Sequence, residues 1–594
     1  MNPTGRRALP WLLLAGAAVL AAGLGLRDPW PADEPRFALI AKDMVESGEW
    51  LIPRVGGVLY PDKPPLFFWL VAVCYALTGS IAVAVLLPSF FAGLGVLWLV
   101  YDLARRLWTR RVGLWTGAAL LATVQFPLQM KSGQIDGLLC FWTTLGLYGL
   151  ARHLLLGPDW RWLAVAGAAC GAGVITKGVG FLPFLVLLPW AYARLQGWPL
   201  PDAGRSRSGW LLLPACFLAV VAAWLVPMLV VTTGSGDPDL LRYRDGILFT
   251  QTVTRYADAW GHIKPPWYLF THAAPWLWLP LTLLLPWLVP AWVRNLRERD
   301  AATLLLLGWV PLVLLFFSLS DGKRSLYIFP ALPALILAAG PHLERVFARP
   351  GARRVVLAYA LAFAVLPTAA GLYGLAVPGI FGPLLEDGDA GASLALGLVA
   401  IGAAALAALL GLGVRPAAAC AAVTAVLWLG LSFVVYPRID AVRSGRVIID
   451  AAEKTLAPGE ALAFAGWKEQ LLLQWSRPAV HFGYRRDDED AEARDAAAWL
   501  ALHPRYRLLL PERMAAACFD TARLSTLGKA HRSVWLLASA AAVLPRCRRD
   551  AETASGSVVR YDPILPRSAA VTSVRSATAP RERAPAGASS PAPQ

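Results

Sequence analysis

The sequence predicts a polytopic α-helical membrane protein with about 13 transmembrane helices and a small α/β domain near its C-terminal end. Of its 594 residues, 57% are hydrophobic and only 16% are charged, whereas soluble domains carry about 25% charged residues. The mean hydropathy is +0.52, and the apolar residues form runs long enough to cross a bilayer. These observations exclude a soluble secreted enzyme, a disordered chain and a nucleic-acid-binding protein.

The basic residues predict the topology. The chain carries 55 Lys and Arg against 39 Asp and Glu, a formal net charge of +16. The arginines lie in short clusters between apolar runs, as expected for cytoplasmic turns, so the excess charge reflects membrane orientation. Arg6 and Arg7 before the first run place the N-terminus in the cytoplasm, and an odd number of crossings then puts the C-terminal domain outside. The predicted spans lie near 9–26, 81–103, 112–130, 135–152, 162–177, 179–194, 210–232, 272–293, 301–319, 326–346, 355–376, 391–413 and 417–436.

The transmembrane domain is predicted to comprise residues 1–437 and to carry two large external loops. These loops are residues 27–80 and 233–271. The apolar segment 65–77 within the first loop is shorter than the roughly 20 residues that a span needs, so we expect a re-entrant or interfacial helix there.

Residues 438–562 are predicted to form an α/β domain outside the membrane, and residues 563–594 a disordered tail rich in Ala, Pro, Ser and Arg. Two cysteines of this domain, Cys518 and Cys547, lie in polar sequence, and a disulfide and two free thiols are both compatible with it. The clearest local patterns predict helices at 447–456 and 491–502 and strands at 461–465 and 506–510.

Charged residues collect at the outer ends of the predicted spans. Asp33 and Glu34 precede an apolar stripe at helical spacing, which predicts an amphipathic helix lying on the membrane surface. Each charge alone is compatible with helix capping or snorkelling. The lysines of the membrane domain also fall on this face, where they have no topological role, and are therefore candidates for function. They are Lys42, Lys63, Lys131, Lys177, Lys264 and Lys323.

Taken together, these residues suit transfer from a phosphate-linked lipid. Cations bind a phosphate group and stabilise its charge as the bond to it breaks, and carboxylates direct an acceptor or a metal ion. The catalytic candidates are Asp33, Glu34 and Asp136. The candidates for binding the donor phosphate are the cations Arg36, Lys63, Lys177, Lys264, Lys323 and Arg324, and the carboxylate Asp62 and the histidine His262 lie on the same face.

Three strings in the first loop resemble the signature of the bacterial aminoarabinose transferases, which belong with the protein O-mannosyltransferases to the membrane-embedded C-type glycosyltransferases. The similarity continues through Asp136, Thr176 to Gly178, His262 to Tyr268 and Phe316 to Pro330, and so covers roughly residues 27–340. The strings are Asp33-Glu34-Pro35-Arg36-Phe37-Ala38, Gly48-Glu49-Trp50-Leu51-Ile52-Pro53-Arg54 and Tyr60-Pro61-Asp62-Lys63-Pro64-Pro65-Leu66.

This resemblance implies an inverting transfer of 4-amino-4-deoxy-L-arabinose, or a related sugar, from a polyprenyl-phosphate donor to lipid A phosphate or a related envelope glycan. The reaction would occur at the periplasmic face of the bacterial inner membrane, without a nucleotide cofactor.

The resemblance also implies roles for individual residues. Asp33 and Asp136 match the family's two acids, Lys63 matches a residue that holds the donor phosphate, and Lys177 and Tyr327 match positions that line the donor cavity. Asp62 and His262 match a metal-binding pair, for Zn, Mg or Mn. The family often has Glu where this chain has the shorter Asp62.

Two other functions remain open at this stage. Transfer to a protein hydroxyl, as in the O-mannosyltransferases, would need a groove for extended polypeptide. A transporter of a lipid-linked sugar would place ionisable residues near the bilayer midplane rather than at one face.

Overall fold

The computed structural model describes residues 8–204, 206–249, 263–382, 385, 388–413, 415–484, 486, 488–530, 533–548 and 558–563. The part that precedes the C-terminal sheet is almost entirely helical because its apolar runs satisfy their backbone hydrogen bonds internally. Its α-helices are Ala8–Ala21, Glu34–Ser47, Leu66–Thr78, Ile81–Ala84, Leu87–Leu107, Arg110–Ala122, Gln125–Met130, Ile135–Leu155, Trp160–Lys177, Leu187–Leu195, Arg207–Trp210, Leu212–Gly234, Pro238–Asp245, Ala274–Leu277, Leu285–Arg297, Ala301–Leu319, Leu332–Ala348, Pro350–Ala376, Gly388–Leu412, Pro416–Gly430 and Tyr436–Arg443. Shorter 3₁₀ or π segments are Leu182–Val186, Leu269–Ala273, Leu281–Leu284, Ser325–Ala331 and Leu431–Val435.

The polytopic character of the chain is confirmed. Within the described residues, eight helices are long and apolar enough to cross a membrane, and a bent pair would make a ninth. The other four predicted spans correspond to helices that are shorter or less apolar. They are Ala8–Ala21, the pair Arg110–Ala122 and Gln125–Met130, Trp160–Lys177, and Leu182–Leu195.

The predicted span at 272–293 is interrupted. The chain forms two helical segments there, Leu269–Leu277 and Leu281–Arg297, whose axes are bent by 99°. Pro280 lies in the break, and because proline has no backbone N–H to donate, it cannot continue the hydrogen-bond ladder of a helix.

The helix Glu34–Ser47, hereafter the first-loop helix, is buried on both sides rather than lying on a surface. Phe37 packs against Phe67 and Phe68 of the short helix Leu66–Thr78, with ring centroids 5.5 Å apart in both pairs. The polar side of the helix contacts the C-terminal part of the chain, where Tyr561 Oη donates to Asp43 Oδ1 at 3.1 Å. The predicted surface position is therefore wrong, because a partner more than 500 residues away in sequence covers that side.

The C-terminal domain contains a six-stranded sheet. Its strands are β3 (Ala461–Phe464), β4 (Ala479–His481), β5 (Tyr506–Pro511), β6 (Ser525–Ala530), β7 (Ser533–Ala538) and β8 (Val559–Tyr561), arranged in the order β6-β7-β5-β3-β4-β8. A two-stranded hairpin in the first loop supplies β1 (Arg54–Val55) and β2 (Val58–Leu59). β3 pairs in parallel with β4 and β5, and the remaining pairs are antiparallel. The accompanying α-helices are Arg446–Thr455, Glu469–Gln474, Glu489–Leu502 and Glu512–Cys518, with 3₁₀ turns at Thr521–Arg523, Ala540–Ala542 and Pro545–Cys547.

The local patterns in this domain are confirmed to within about two residues at each end. The two predicted helices are Arg446–Thr455 and Glu489–Leu502, and the two predicted strands are β3 and β5. Cys518 and Cys547 form a disulfide, which settles the alternative that the sequence left open. The predicted disordered tail lies outside the described residues except for Pro563.

The hairpin of the first loop joins the two parts of the molecule. Gly56 at its tip accepts a hydrogen bond from His481 Nε2 at 2.8 Å through its carbonyl oxygen. Its φ of 57° and the position of Leu472 Cδ2, 2.7 Å from where a Cβ would lie, require glycine there. The C-terminal sheet therefore packs directly on the loop that carries the candidate site.

Candidate functional site

Asp33 lies between two guanidinium groups at the start of the first-loop helix. It occupies the N-cap position but makes no side-chain capping hydrogen bond. Its Oδ2 accepts a hydrogen bond from Arg324 Nη2 at 3.1 Å, and its Oδ1 lies 3.5 Å from Arg36 Nη1. Helix capping therefore does not explain Asp33, and the first-loop helix instead positions its carboxylate against two cations.

The surroundings of Asp33 keep it ionised. Burial alone would raise the pKa of this carboxyl, because desolvation disfavours its charged form. The positive charges of Arg324, Arg36 and Lys177 outweigh burial and hold the pKa below its ordinary value. Asp33 is thus a fixed negative charge near neutral pH.

A second ion pair joins two antiparallel helices. Asp136 lies in the first turn of Ile135–Leu155, and Lys177 is the last residue of Trp160–Lys177. Lys177 Nζ lies 2.5 Å from Asp136 Oδ1, and their side chains are only 12% and 9% exposed. The same ammonium lies 4.4 Å from the ring centroid of Tyr327, within cation–π range.

The two ion pairs form one electrostatic unit. The positive charge of Lys177 attracts the Asp33 carboxylate, and the negative charge of Asp136 attracts the Arg324 guanidinium. All four residues lie at helix ends or in turns that the sequence predicts to share one membrane face. We call the set of Asp33, Asp136, Lys177, Arg324 and Tyr327 the loop-face cluster.

Glu34 has a different environment from its neighbour Asp33. Its carboxylate accepts two hydrogen bonds from Arg27, at 2.5 and 2.8 Å, and one from the backbone N–H of Trp30 at 2.9 Å. A fourth comes from the backbone N–H of Gly133 at 2.8 Å. A carboxylate with four donors is occupied by the fold, so we assign Glu34 a positioning role in place of the predicted catalytic one.

Replacement of Glu34 by Gln should destabilise the protein by about 3–5 kcal/mol, because it leaves the buried guanidinium of Arg27 without its counter-charge. The two side chains are each 6% exposed. Glu49→Gln is the matched control, since the Glu49–Arg54 pair is more exposed and should be worth at most about 1 kcal/mol. Thermal unfolding of the purified proteins in detergent measures the stability of both variants. Equal unfolding midpoints for Glu34→Gln and Glu49→Gln would contradict the positioning role of Glu34.

Two further predicted phosphate-binding residues link neighbouring turns. Lys323 Nζ donates to the carbonyl oxygen of Lys264 at 2.9 Å, and the backbone N–H of Lys264 donates to the Asp321 carbonyl oxygen at 3.2 Å. The Lys264 ammonium lies 5.8 Å from the Tyr268 ring centroid. The structure thus brings Lys264 and Lys323 to each other.

Lys131 has a structural position. Its ammonium is buried and donates to the carbonyl oxygens of Val19 and Ala22, at 2.8 and 2.6 Å. These carbonyls lie at the C-terminal end of the helix Ala8–Ala21 and have no partner within that helix. The suggestion that Lys131 is a functional lysine is therefore not supported.

The remaining predicted residues lie near the hairpin of the first loop. Asp62 and Lys63 are half-buried in the turn between β2 and the helix Leu66–Thr78. His262, the predicted metal-binding partner of Asp62, lies outside the described residues. Within the described residues, no group of three or more His, Cys, Asp or Glu side chains could hold a metal ion.

Sequence reasoning missed three residues that hold the site together. Arg27 and Trp30 fix Glu34, and the Arg27 guanidinium lies 4.6 Å from the Trp30 ring centroid. Glu469 of the C-terminal domain accepts a hydrogen bond from Arg36 Nε at 2.7 Å. A charged pair directly after the first apolar run could have indicated Arg27, but no local pattern points to Glu469.

The fold and the cluster define a class of protein. It is a polytopic membrane protein with a charged site at the loop ends of its helices and a C-terminal α/β domain packed on its first loop. The family described as dolichyl-phosphate-mannose-protein mannosyltransferase matches residues 62–229. The fold is shared with the crystal structure of ArnT from Cupriavidus metallidurans bound to undecaprenyl phosphate. The TM-score is 0.71 at 20% identity, covering 92% of this chain and 100% of that chain.

Particular relatives are found among curated proteins. The chain is 34% identical over 388 residues to undecaprenyl phosphate-alpha-4-amino-4-deoxy-L-arabinose arabinosyl transferase 1 of Pseudomonas fluorescens, which covers 63% of this chain and 65% of the relative. It is 32% identical over 350 residues to the arabinosyl transferase of Pseudomonas aeruginosa, which covers 55% of this chain and 58% of the relative. The chain thus spans somewhat less than two thirds of the length of these relatives. The resemblance to the aminoarabinose transferases is confirmed.

Proposed function

We propose that this protein is an inverting glycosyltransferase that moves a sugar, 4-amino-4-deoxy-L-arabinose or a related one, from a polyprenyl-phosphate donor to lipid A phosphate or a related envelope glycan. The observation that carries the proposal is the position of Asp33, between Arg324 and Arg36 and beside the Asp136–Lys177 pair. The similarity to the arabinosyl transferases supports the same conclusion.

The charges of the cluster match the charge changes of such a transfer. The bond between the sugar and the donor phosphate breaks, and the leaving polyprenyl phosphate gains negative charge. Lys177 and Arg324 would stabilise that charge, and we assign the same role to Lys63 of the first loop. Tyr327 and the aliphatic stem of Lys177 would line the space that the donor head group occupies.

The ionised state of Asp33 favours a phosphate acceptor over a hydroxyl. A phosphate oxygen is already negatively charged and needs no base, so Asp33 can balance and position the arginines around it. A hydroxyl acceptor would require Asp33 to take a proton, and a carboxyl whose pKa is held below its ordinary value is a weak base. Transfer to a protein hydroxyl is therefore the second candidate.

The positions of the charges argue against a transporter. Asp136 lies at the start of one helix and Lys177 at the end of another, so neither lies in the middle of a span. Transporter sites typically lie near the midplane, on interrupted helices.

The orientation that fits this function places the cluster at the periplasmic face of a bacterial inner membrane. Thirteen crossings from a cytoplasmic N-terminus would put residues 438–562 in the periplasm. The disulfide between Cys518 and Cys547 supports this side, because disulfides persist in oxidising compartments.

A divalent metal ion held by Asp62 and His262 remains part of the proposal, where it would add positive charge near the donor phosphate. His262→Ala should then lower the metal content of the purified full-length protein, measured by elemental analysis, and its transfer activity. His272→Ala, which changes an exposed histidine, is the control. Unchanged metal content and full activity in His262→Ala would remove the metal from the mechanism.

The direct experiment is transfer by the purified protein in detergent, with a polyprenyl-phosphate-linked aminoarabinose as donor and either lipid A or a hydroxyl-bearing peptide as acceptor. We expect product on lipid A alone. Product on the peptide alone would favour the second candidate, and movement of donor across liposomes without any transfer would favour a transporter.

A further inference from the structure

A polar cavity lies between the start of the first-loop helix and the C-terminal domain. It has a volume of about 210 Å³ and is lined on one side by Pro31, Ala32 and Arg36 and on the other by residues of the C-terminal domain. We call it the junction cavity. It is smaller than the roughly 300–1,000 Å³ of sites for drug-sized ligands, so it suits a single sugar residue rather than a whole glycolipid.

The lining of the junction cavity is charged and aromatic. It includes four cations, three carboxylates and the rings of Trp467 and Tyr484, whose centroids lie 5.5 Å apart. Aromatic faces beside hydrogen-bonding groups suit the mixed surface of a sugar, and guanidinium and ammonium groups suit a phosphate. The charged residues are Arg36, Lys468, Arg486, Arg513, Glu469, Glu489 and Glu492.

One cation of this lining is available for a ligand. Arg513 forms two hydrogen bonds to Glu489, at 2.7 and 2.8 Å, and Arg486 pairs with Asp495 at 2.9 Å. Lys468 is half-buried and, among the residues that the structure describes, has no ion-pair partner. Its positive charge interacts with Glu489 of the same lining but is not held in an ion pair, so it can still contact a phosphate.

The side chain of Arg36 lies between the junction cavity and Asp33. Arg36 lines the cavity, donates to Glu469 on the cavity side at 2.7 Å, and lies 3.5 Å from Asp33 on the other side. A ligand anion that approached Arg36 from the cavity would lie next to the loop-face cluster. The cavity thus adjoins the reaction site on the side of the C-terminal domain.

We propose that the junction cavity binds the phosphorylated sugar head group of the acceptor, with Lys468 as a phosphate ligand and Trp467 and Tyr484 as the surface against which the sugar packs. This inference rests on the proposed function, because it assigns the acceptor to a place beside the proposed donor site. It gives the C-terminal domain a role in the choice of acceptor.

Kinetics of the full-length protein test this assignment. Lys468→Ala should raise KM for lipid A about tenfold or more, as expected for loss of one charge-assisted hydrogen bond, and leave KM for the donor unchanged. Lys468→Arg should retain most of the acceptor affinity. Lys529→Ala, which removes an exposed lysine of the same domain, should change neither constant.

A binding measurement separates this inference from the proposed function. In saturation-transfer NMR with the protein in nanodiscs, glucosamine 1-phosphate should receive saturation from the wild type and much less from Lys468→Ala, and glucosamine should receive little from either. If the wild-type protein transfers no sugar to lipid A, the proposed function is overturned. If Lys468→Ala transfers sugar normally, with the wild-type KM for lipid A, and also gives the wild-type NMR signal for glucosamine 1-phosphate, only the assignment of the cavity is overturned.

Discussion

Asp33→Asn should lower kcat for sugar transfer by at least about 100-fold and leave the Kd for the donor within about twofold. The amide keeps the size of the side chain but removes the negative charge that Arg324 and Arg36 surround. Arg324 then loses its hydrogen-bonded carboxylate and Arg36 keeps only Glu469, at the point where the proposed acceptor would approach. Single-turnover transfer and a donor-binding assay on the purified protein measure the two quantities separately.

The pH dependence gives a second readout of Asp33. Because its pKa is lowered in the folded protein, Asp33 remains ionised until the pH falls below the ordinary carboxyl value of 3.8. Transfer by the wild type should therefore show no loss of rate from this group near neutral pH. Glu49→Gln in the same loop is the matched control and should retain full activity. A wild-type activity that requires a carboxylate titrating near neutral pH would contradict this role.

Lys177→Met should weaken donor binding about 10-fold to 100-fold, because it removes a buried cation that the structure places against both Asp136 and Tyr327. Methionine preserves most of the apolar stem of lysine, so a loss of donor affinity would be due to the missing charge rather than to lost packing. The Kd for a polyprenyl phosphate, measured by titration in detergent, is the direct readout.

A paired variant separates binding from folding at this site. Lys177→Met leaves Asp136 buried without its partner, which by itself destabilises the protein. The double change Asp136→Asn with Lys177→Met removes both charges, so it should recover thermal stability but not donor affinity. Lys454→Met, which changes an exposed lysine of the helix Arg446–Thr455, should alter neither thermal stability nor donor affinity. Recovery of donor affinity in the double variant would contradict a role for Lys177 in binding phosphate.

The sequence predicted the part of the site that depends on helix ends. Asp136 and Lys177 fall at the boundaries of apolar runs, and a consistent topology places those boundaries on one face, so their proximity could be expected. The same reasoning could not distinguish Asp33 from Glu34. Adjacent acids at a helix start look alike in sequence, and only the fold shows that one meets Arg324 and the other Arg27.

The contacts between the two parts of the chain could not be predicted. The apolar stripe of the first-loop helix correctly predicted one buried side, but the polar side is covered through Arg36–Glu469 and Asp43–Tyr561, whose partners lie 433 and 518 residues apart. Periodicity reports which residues share a side of a helix, not what packs on that side. The bend at Pro280 was missed for a related reason, because an apolar run looks the same whether it crosses straight or turns back.

The central claim is most directly tested by mass spectrometry of lipid A from host cells that lack the related transferase. Cells would carry the wild-type chain, the Asp33→Asn variant at equal expression, or neither. We predict a mass increment of one sugar on lipid A with the wild-type chain and its loss in the other two strains. The size of that increment would identify the class of sugar. Lipid A of identical mass in all three strains, with the wild-type protein present in the membrane, would contradict the proposed transfer to lipid A.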